Sequence, residues 1–231
     1  MNRFVFIGSV VAAGVVLGII GYYTGVMDTS ASPTSDSIDN KIDPVLGFVA
    51  LTPDTVPPVQ PDHEVNLIVL PREGSPIPEF VFEPTGLFIQ PGDTVKFNFD
   101  TYDHTVTAYH AAHGFAPRIP EAVEPFSSPV VPLGGYWLYT FEKEGVYDVF
   151  CSPHQIFGMV MRIVVGSPTG PGASPVVVGP PSQEPPFQPS QTAGLVLSDL
   201  ALEPQNIISA GSVSWNEIST ENKRIIQPGG Q

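Results

Sequence analysis

The chain has 231 residues and a formal net charge of −14, from 9 basic and 23 acidic residues. This balance argues against nucleic-acid binding, which depends on Lys and Arg side chains that neutralise phosphates. The single Cys excludes an intramolecular disulfide, and it also excludes a dinuclear copper centre that needs two bridging thiolates.

Proline and glycine are unevenly distributed along the chain. The 27 Pro and 22 Gly crowd the segments on either side of residues 61–166. About a hundred residues are enough for a small β-sandwich with its own core. We therefore predict one compact domain over residues 61–166, with long extensions on both sides.

Residues 1–26 are predicted to form a membrane anchor helix. Residues 4–23 carry no charge, and a helix of that length spans roughly 30 Å, about one hydrocarbon core. Arg3 precedes this run while Asp28 and Asp36 follow it, so the positive-inside rule predicts a cytoplasmic N-terminus with the remainder outside. A cleaved signal peptide is the alternative, although the run is long for one and no clean A-x-A site follows it.

Residues 27–60 are predicted to be a tether between this anchor and the compact domain. Residues 27–44 are polar and rich in Ser, Thr and Pro, which is typical of a solvated linker. Residues 45–60 mix apolar side chains with Pro53 and Pro57, a composition compatible with a position along a surface, and it indicates no further role.

Short strand signals, separated by turn residues, recur through residues 61–166. Apolar side chains alternate over residues 63–70 and 94–99, and Pro91-Gly92 predicts a tight turn before the second of these strands. Other strands are expected at residues 80–82, 87–89, 136–141, 146–151 and 159–165. Short strands at this spacing predict an all-β, antiparallel sandwich.

Three histidines lie between two of the predicted strands. His104 follows the strand at 94–99, where a rigid sandwich can hold a metal ligand. His110 and His113 come soon afterwards. The sequence leaves open whether this pair lies in an exposed loop, forms a second metal site or contacts a partner.

Cys151, His154 and Met159 bring a thiolate, an imidazole and a thioether together within a few residues. Soft sulfur with imidazole suits copper, and two His, one Cys and a weak axial Met are the ligands of a blue-copper electron-transfer site. His104 can supply the second imidazole. A buried structural Cys beside an incidental His and Met is the alternative.

This pattern, a distant His followed by Cys-x2-His-x4-Met, resembles the cupredoxins and within them the plastocyanin, pseudoazurin and halocyanin-like group. The resemblance covers roughly residues 61–166 and implies an antiparallel Greek-key sandwich with one type 1 copper per chain. It implies that the copper ligands are His104, Cys151, His154 and Met159. No catalytic residues follow from it, because such proteins are electron carriers rather than enzymes.

The resemblance also implies how the site works and where this chain departs from the family. Electrons are expected to cross the His154 edge, with Ile156 and Phe157 in an apolar docking patch. Phe150 stands where plastocyanins often carry Tyr, so a tyrosine-based electron route is in doubt. Thr105 follows the first His, where the family contributes a hydrogen bond, and its side-chain contribution is left open.

The C-terminal part of the chain is divided by composition. Residues 167–194 are predicted to be a Pro/Gly/Ser linker. Residues 195–231 contain an apolar island and a short helix that Pro204 could start and Gly211 could end. This tail is expected either to dock on a partner, to remain disordered or to fold back on its own sandwich.

These features predict a single-pass membrane protein whose copper domain lies on the extracytoplasmic side. It would carry single electrons between membrane redox complexes of a respiratory or photosynthetic chain, as a separate carrier or as a bound subunit. One alternative is an assembly or interaction subunit whose copper is secondary. A copper enzyme is a further alternative, but only one cupredoxin pattern is present and Phe150 and Ser152 flank Cys151, so no His-Cys-His bridge exists.

Overall fold

Ten strands and two short α-helices make up the regular structure of the described residues, 42–179 and 183–226 of a computed structural model. The strands are β1 (Phe48–Ala50), β2 (His63–Leu70), β3 (Glu79–Glu83), β4 (Gly86–Ile89), β5 (Thr94–Phe99), β6 (Thr107–Ala108), β7 (Tyr136–Thr140), β8 (Gly145–Phe150), β9 (Val160–Val165) and β10 (Ser212–Val213), and the helices are α1 (Gln191–Leu197) and α2 (Pro204–Ala210). They form two five-stranded sheets, ordered β1-β7-β5-β2-β3 and β10-β4-β9-β8-β6.

Alternating side chains of both sheets fill the space between them. On β5, Val95, Phe97 and Phe99 are buried in this core, while Lys96 and Asn98 on the other face are only partly buried. The predicted alternation is confirmed for this strand. Burying an apolar side chain of this kind contributes roughly 1.5–3 kcal/mol relative to leaving it in water.

Two strand pairs depart from the antiparallel prediction. β2 pairs with β5 in parallel, and β4 pairs with β9 in parallel. Between the paired strands the chain crosses to the opposite sheet, and it returns in the same direction. The other strand pairs of the described residues are antiparallel, so the predicted sandwich is confirmed while its purely antiparallel pairing is wrong.

Residues 45–60, the last part of the predicted tether, contain a strand at the edge of the sandwich. Phe48–Ala50 pairs antiparallel with β7. The Trp137 Nε1–H donates a hydrogen bond to the Leu46 carbonyl oxygen at 2.9 Å. Gly47 has a φ of 67°, and an added Cβ would lie 2.4 Å from Trp137 Nε1, so the turn into β1 requires Gly. Pairing satisfies backbone groups of β7 that would otherwise be left at a sheet edge.

The predicted anchor, residues 1–26, and residues 27–41 of the tether that follows it lie outside the described residues. Across 42–179 and 183–226, none of the helices combines the length and the apolar character that crossing a membrane requires. The anchor therefore stays a prediction from the sequence.

We call residues 167–226 the C-terminal extension. Every residue of β8 and β9 is buried, which indicates strands covered on both faces. On the outer face, Val146, Val160 and Val164 belong to an apolar cluster whose other members include Val196, Leu197, Leu202, Ile207, Val213 and Trp215 of the C-terminal extension. The apolar island of the tail thus folds back on its own sandwich, which was one of the open alternatives.

The predicted linker at residues 167–194 is packed rather than free in its described parts. Gly172 is buried, and its carbonyl oxygen accepts a hydrogen bond from Arg118 Nη2 at 3.0 Å. Phe187 forms a β-bridge with Phe115, and α1 begins inside the predicted linker. Pro and Gly content describes local chain preferences, and it does not report the tertiary hydrogen bonds that order this segment.

The last strand and the second helix fix the end of the C-terminal extension. β10 pairs antiparallel with β4, which would otherwise be an edge strand. α2 begins at Pro204 and is capped by Gly211, which has a φ of 79°. The predicted short helix between these two residues is confirmed.

A buried ion cluster joins the sandwich to the C-terminal extension. Asp148 on β8 is fully buried and accepts hydrogen bonds from Arg118 Nε at 2.6 Å and from Arg162 Nε at 2.7 Å. Arg162 also donates to the Leu202 carbonyl oxygen at 2.9 Å. One carboxylate therefore pairs with two guanidinium groups that donate hydrogen bonds to backbone carbonyls of the extension.

Replacing Asp148 with Ala is expected to lower the free energy of unfolding by roughly 3–5 kcal/mol, because two buried guanidinium groups lose their shared carboxylate. Urea denaturation followed by circular dichroism measures the change. Glu221→Ala is the matched control, since it removes a carboxylate from an exposed ion pair with Arg224. We expect the control to stay within about 0.5 kcal/mol of the unaltered chain. Equal stability of both variants would contradict the role of the cluster.

Candidate metal centre

Three side chains from distant parts of the chain converge at one end of the sandwich. One ligand atom each from His104, Cys151 and His154 lies within 4.8 Å of the others. The Cys151 Sγ is 3.5 Å from His104 Nδ1 and 3.4 Å from His154 Nδ1, and the two Nδ1 atoms are 3.2 Å apart. Sulfur and two imidazole nitrogens at these separations could share one metal ion.

His104 is held just beyond β5 by its neighbours on the loop. The preceding residue, Asp103, has a φ of 65°, which is uncommon for a residue other than Gly but tolerated by Asp. The His104 Nε2 lies 2.7 Å from the Thr101 hydroxyl. This hydrogen bond fixes the ring so that Nδ1 faces the other two ligand atoms, as is common for the second nitrogen of a metal-binding His.

Cys151 stands at the end of β8, on the face that turns towards the core. Tyr147, Val149 and Cys151 share the core cluster, as the period of two predicts. The Cys151 N–H donates to the Met159 carbonyl oxygen at 3.1 Å, and the Thr105 N–H lies 3.4 Å from the Cys151 Sγ. The sulfur is thus held by a strand on one side and by the loop of the first His on the other.

The Thr105 side chain, whose role the sequence left open, joins the two loops. Its Oγ1 accepts a hydrogen bond from the Ser152 N–H at 2.9 Å. The same residue therefore approaches the Cys151 sulfur with its backbone and the next residue with its hydroxyl. Thr105 fixes the loop of His104 against the strand end that carries the thiol.

His154 and Met159 lie on a short, tightly bonded loop. The His154 N–H donates to the Cys151 carbonyl oxygen at 3.1 Å, and the Met159 N–H donates to the His154 carbonyl oxygen at 3.2 Å. A 3₁₀ turn over Gln155–Phe157 and Gly158 with a φ of 92° complete the loop. Met159 is fully buried, and its backbone is bonded to both neighbouring ligand residues.

Phe80 is a functional neighbour that sequence reasoning missed. Its ring stacks on His154 with centroids 3.9 Å apart and planes 9° apart, and it stacks on Phe157 at 5.4 Å. The sequence places Phe80 in a strand, but no local pattern connects β3 with the loop after β8. The stack restricts the orientation of the His154 ring.

Ile156 and Phe157, the two residues predicted to form an apolar docking patch, differ in exposure. Ile156 is 53% exposed, whereas Phe157 is partly buried against Phe80. His154 is itself partly exposed, while His104 is fully buried. Of the two imidazoles, His154 is therefore the one that reaches the surface.

Burial sets the protonation of the three groups before any metal binds. It lowers the pKa of His104 to about 4, with a further contribution from His154, and it lowers the pKa of His154. Burial also raises the pKa of the Cys151 thiol to about 11, against the opposing effect of the Thr105 N–H. At neutral pH the centre thus presents two neutral imidazoles and a thiol.

His110 and His113 do not join this centre. The His110 Nδ1 accepts a hydrogen bond from the Ala112 N–H at 3.1 Å, and the His113 Nδ1 lies 2.9 Å from the Ala108 carbonyl oxygen. The His110 ring caps the 3₁₀ turn Ala111–His113, and the two ring centroids are 6.5 Å apart. Their contacts are local, and a metal or partner role for them stays a prediction.

Similarity to known proteins agrees with this chemistry. A family model described as copper binding proteins, plastocyanin/azurin family, matches residues 73–166. Pseudoazurin of Methylorubrum extorquens is 35% identical over 86 residues, which cover 37% of this chain and 52% of that protein. A putative pseudoazurin of Rhizobium leguminosarum bv. viciae is 33% identical over 122 residues, which cover 53% of this chain and 72% of that protein.

Among solved structures, the pseudoazurin of Methylobacterium extorquens AM1 is 24% identical and aligns with a TM-score of 0.38, over 64% of this chain and 96% of that chain. The chain spans about half the length of the Methylorubrum pseudoazurin and 72% of the Rhizobium relative. The family-matched region contains His104, Cys151 and His154. The chain therefore belongs to the plastocyanin/azurin family of copper-binding proteins.

Proposed function

We propose that this chain is a blue-copper protein that transfers single electrons. The observation that carries the proposal is the convergence of one sulfur and two imidazole nitrogens within 4.8 Å. His104, Cys151 and His154 would be the three strong ligands of one copper ion, with the Met159 thioether as a weaker fourth donor. The chain is then an electron carrier and not an enzyme.

The donor set fits copper better than harder metals. Thiolate and thioether sulfur favour Cu(I), imidazole is accepted by both oxidation states, and the set lacks the carboxylates that Mg²⁺ or Ca²⁺ prefer. Copper bound here would supply a one-electron couple at a site closed to most solvent. The depressed pKa of His104 agrees with this use, because a neutral imidazole is the form that binds metal.

The protein's part is to keep the ligands in place while the charge of the site changes. Thr101 orients His104, Thr105 holds the loop beside Cys151, and Phe80 stacks on His154. Each of these partners limits rotation of one ligand side chain. Small rearrangement between oxidation states is what fast electron transfer requires of such a site, and rigid support supplies it.

We propose the partly exposed edge of His154 as the place where electrons enter or leave. Ile156 stands beside it with 53% of its surface exposed, and it offers apolar area to a partner. The net charge of −14 favours association with a basic partner surface. The proposed partners are membrane redox complexes of a respiratory or photosynthetic chain.

The proposed location follows from the sequence of residues 1–26. A retained, uncharged helix there would tether the copper domain to the extracytoplasmic side of a membrane, with the N-terminus in the cytoplasm. A tether of this kind keeps a carrier close to its membrane partners and raises its effective concentration.

The alternative of an assembly subunit depends on arms that are free to bind other proteins. In the described residues, the apolar side chains of the C-terminal extension pack against β8 and β9 of the same chain. Because these side chains are already buried within their own chain, the carrier is favoured over the assembly subunit.

Replacing the proposed ligand Cys151 with Ala is expected to abolish the thiolate-to-copper absorption and to reduce one-electron turnover by about a hundredfold or more. Visible absorption, EPR and a potentiometric titration of the copper-loaded chain measure these properties. His113→Ala is the matched control, because it removes an imidazole outside the centre, and it should retain one reversible electron per chain. A blue spectrum in Cys151→Ala would contradict the ligand assignment.

Copper uptake near neutral pH should release about one proton per ion, because Cys151 must lose its thiol proton while the imidazoles are already neutral. Calorimetry in buffers of different ionisation enthalpy measures the proton count. Below the thiol pKa of about 11, the apparent affinity should fall about tenfold for each pH unit lost. It should fall more steeply once the pH drops through the His104 pKa of about 4. Uptake without proton release would contradict thiolate ligation.

Deleting residues 1–26 is expected to move the protein from the membrane fraction to the soluble fraction, since the proposed anchor is lost. Carbonate washing of membranes, followed by immunodetection, measures the distribution. Deleting residues 227–231 is the control and should leave the protein with the membranes. A mature N-terminus found beyond residue 26 would show that residues 1–26 are a cleaved signal peptide, and it would contradict the proposed membrane anchor.

A further inference from the structure

We infer that the C-terminal extension clamps the copper-ligand loop, and that Ser190 and Gln155 are the positioning residues of this clamp. Gln155 follows His154 directly in the chain. The Ser190 N–H donates to Gln155 Oε1 at 2.8 Å, and the Ser190 Oγ–H donates to the Gln155 carbonyl oxygen at 2.9 Å. Two hydrogen bonds thus join one residue of the extension to the side chain and backbone of one loop residue.

The same serine also begins the helix that rests on the loop. The Ser190 Oγ accepts a hydrogen bond from the Ala193 N–H at 3.2 Å, which makes Ser190 the N-cap of α1. Its hydroxyl therefore donates to the loop while it accepts from the helix. Gln155 is a buried polar side chain, so losing the bond from the Ser190 N–H would leave Oε1 without this partner in an enclosed place. The Gln155 carbonyl oxygen also accepts a hydrogen bond from the Gly158 N–H at 3.0 Å, so the Ser190 hydroxyl is its second donor.

α1 also packs against the loop at its second turn. A Cβ added to Gly158 would lie 3.1 Å from Thr192 Cγ2 and 3.4 Å from Val196 Cγ2. The helix surface thus reaches the backbone of the residue that precedes Met159. The clamp therefore contacts the loop at Gln155, the first residue of its 3₁₀ turn, and at Gly158, which follows the turn.

The clamp has a rigid base. Asp199, just after α1, accepts hydrogen bonds from the Ser219 N–H and Oγ–H at 2.9 and 2.7 Å and from Asn222 Nδ2 at 2.8 Å. Arg162 on β9 donates to the Leu202 carbonyl oxygen at 2.9 Å. A helix fixed in this way to its own extension and to the sandwich can restrain a loop rather than follow its motion.

This role rests on the proposed copper function, because the loop carries the proposed ligands His154 and Met159. The contacts of the clamp itself, however, are made by protein atoms alone. Restraint of the loop before copper binds would preorganise the ligands and slow copper release. It would also fix the ligand geometry that determines the spectrum and the reduction potential.

The test uses the full chain and compares Ser190→Ala and Gln155→Leu with the control Ser214→Ala. The control removes the cap of another short helix in the extension, over Trp215–Glu217, which has no hydrogen bond to the loop in the described structure. In the metal-free protein, hydrogen exchange of residues 152–159 should be roughly five- to tenfold faster in both loop variants, as expected for one lost buried hydrogen bond. The control should exchange like the unaltered chain.

In the copper-loaded protein, both loop variants should release Cu(I) faster and show shifted visible and EPR spectra. Ser190→Thr keeps the hydroxyl, so its release rate and spectra should match those of the unaltered chain. Unchanged exchange of residues 152–159 in both loop variants would overturn the clamp. Faster exchange in Ser190→Ala alone would overturn it too, because that pattern reflects loss of the helix cap. If the proposed function is wrong, the unaltered chain will show no blue-copper spectrum. The hydrogen-exchange result does not depend on that outcome.

Discussion

The structure depends on one constraint, which is that a thiol and two imidazoles are held together inside the protein. The Cys151 sulfur lies within 3.5 Å of the Nδ1 atoms of His104 and His154. Burial favours the uncharged form of all three groups, so their close approach costs little electrostatic energy before metal binds. A metal ion that accepts these three atoms then replaces a single proton. The scaffold therefore holds the three side chains in position while all of them are uncharged.

The rest of the fold can be understood as support for this arrangement. The two sheets place the end of β8 beside the loop that follows β5, and Thr105 joins these two segments. Phe80 reaches the His154 ring from the other sheet. The C-terminal extension covers the outer face of β8 and β9 and reaches the ligand loop at Gln155. Support thus comes from three directions that are far apart in sequence, and each restrains a different ligand.

Sequence reasoning was successful where a local pattern carries the information. The spacing of Cys151, His154 and Met159 predicted a metal centre, of which the structure brings Cys151 and His154 together with His104. Apolar runs and turn residues located most strands, because these signals lie within a few residues. It was less successful where the outcome depends on distant partners. The Phe80 stack and the Ser190 hydrogen bonds have no local signature. The packing of residues 45–60 and 167–194 was also missed, because Pro and Gly content resembles that of a free linker while tertiary hydrogen bonds order the chain.

X-ray absorption at the copper edge tests the central claim most directly, because it counts the atoms bound to the ion in the loaded full chain. The account predicts one short copper–sulfur distance and two imidazole nitrogens, with any second sulfur weak and more distant. In Cys151→Ala the short sulfur contribution should disappear. A first shell of oxygen and nitrogen alone in the unaltered chain would contradict the assignment of the centre to His104, Cys151 and His154.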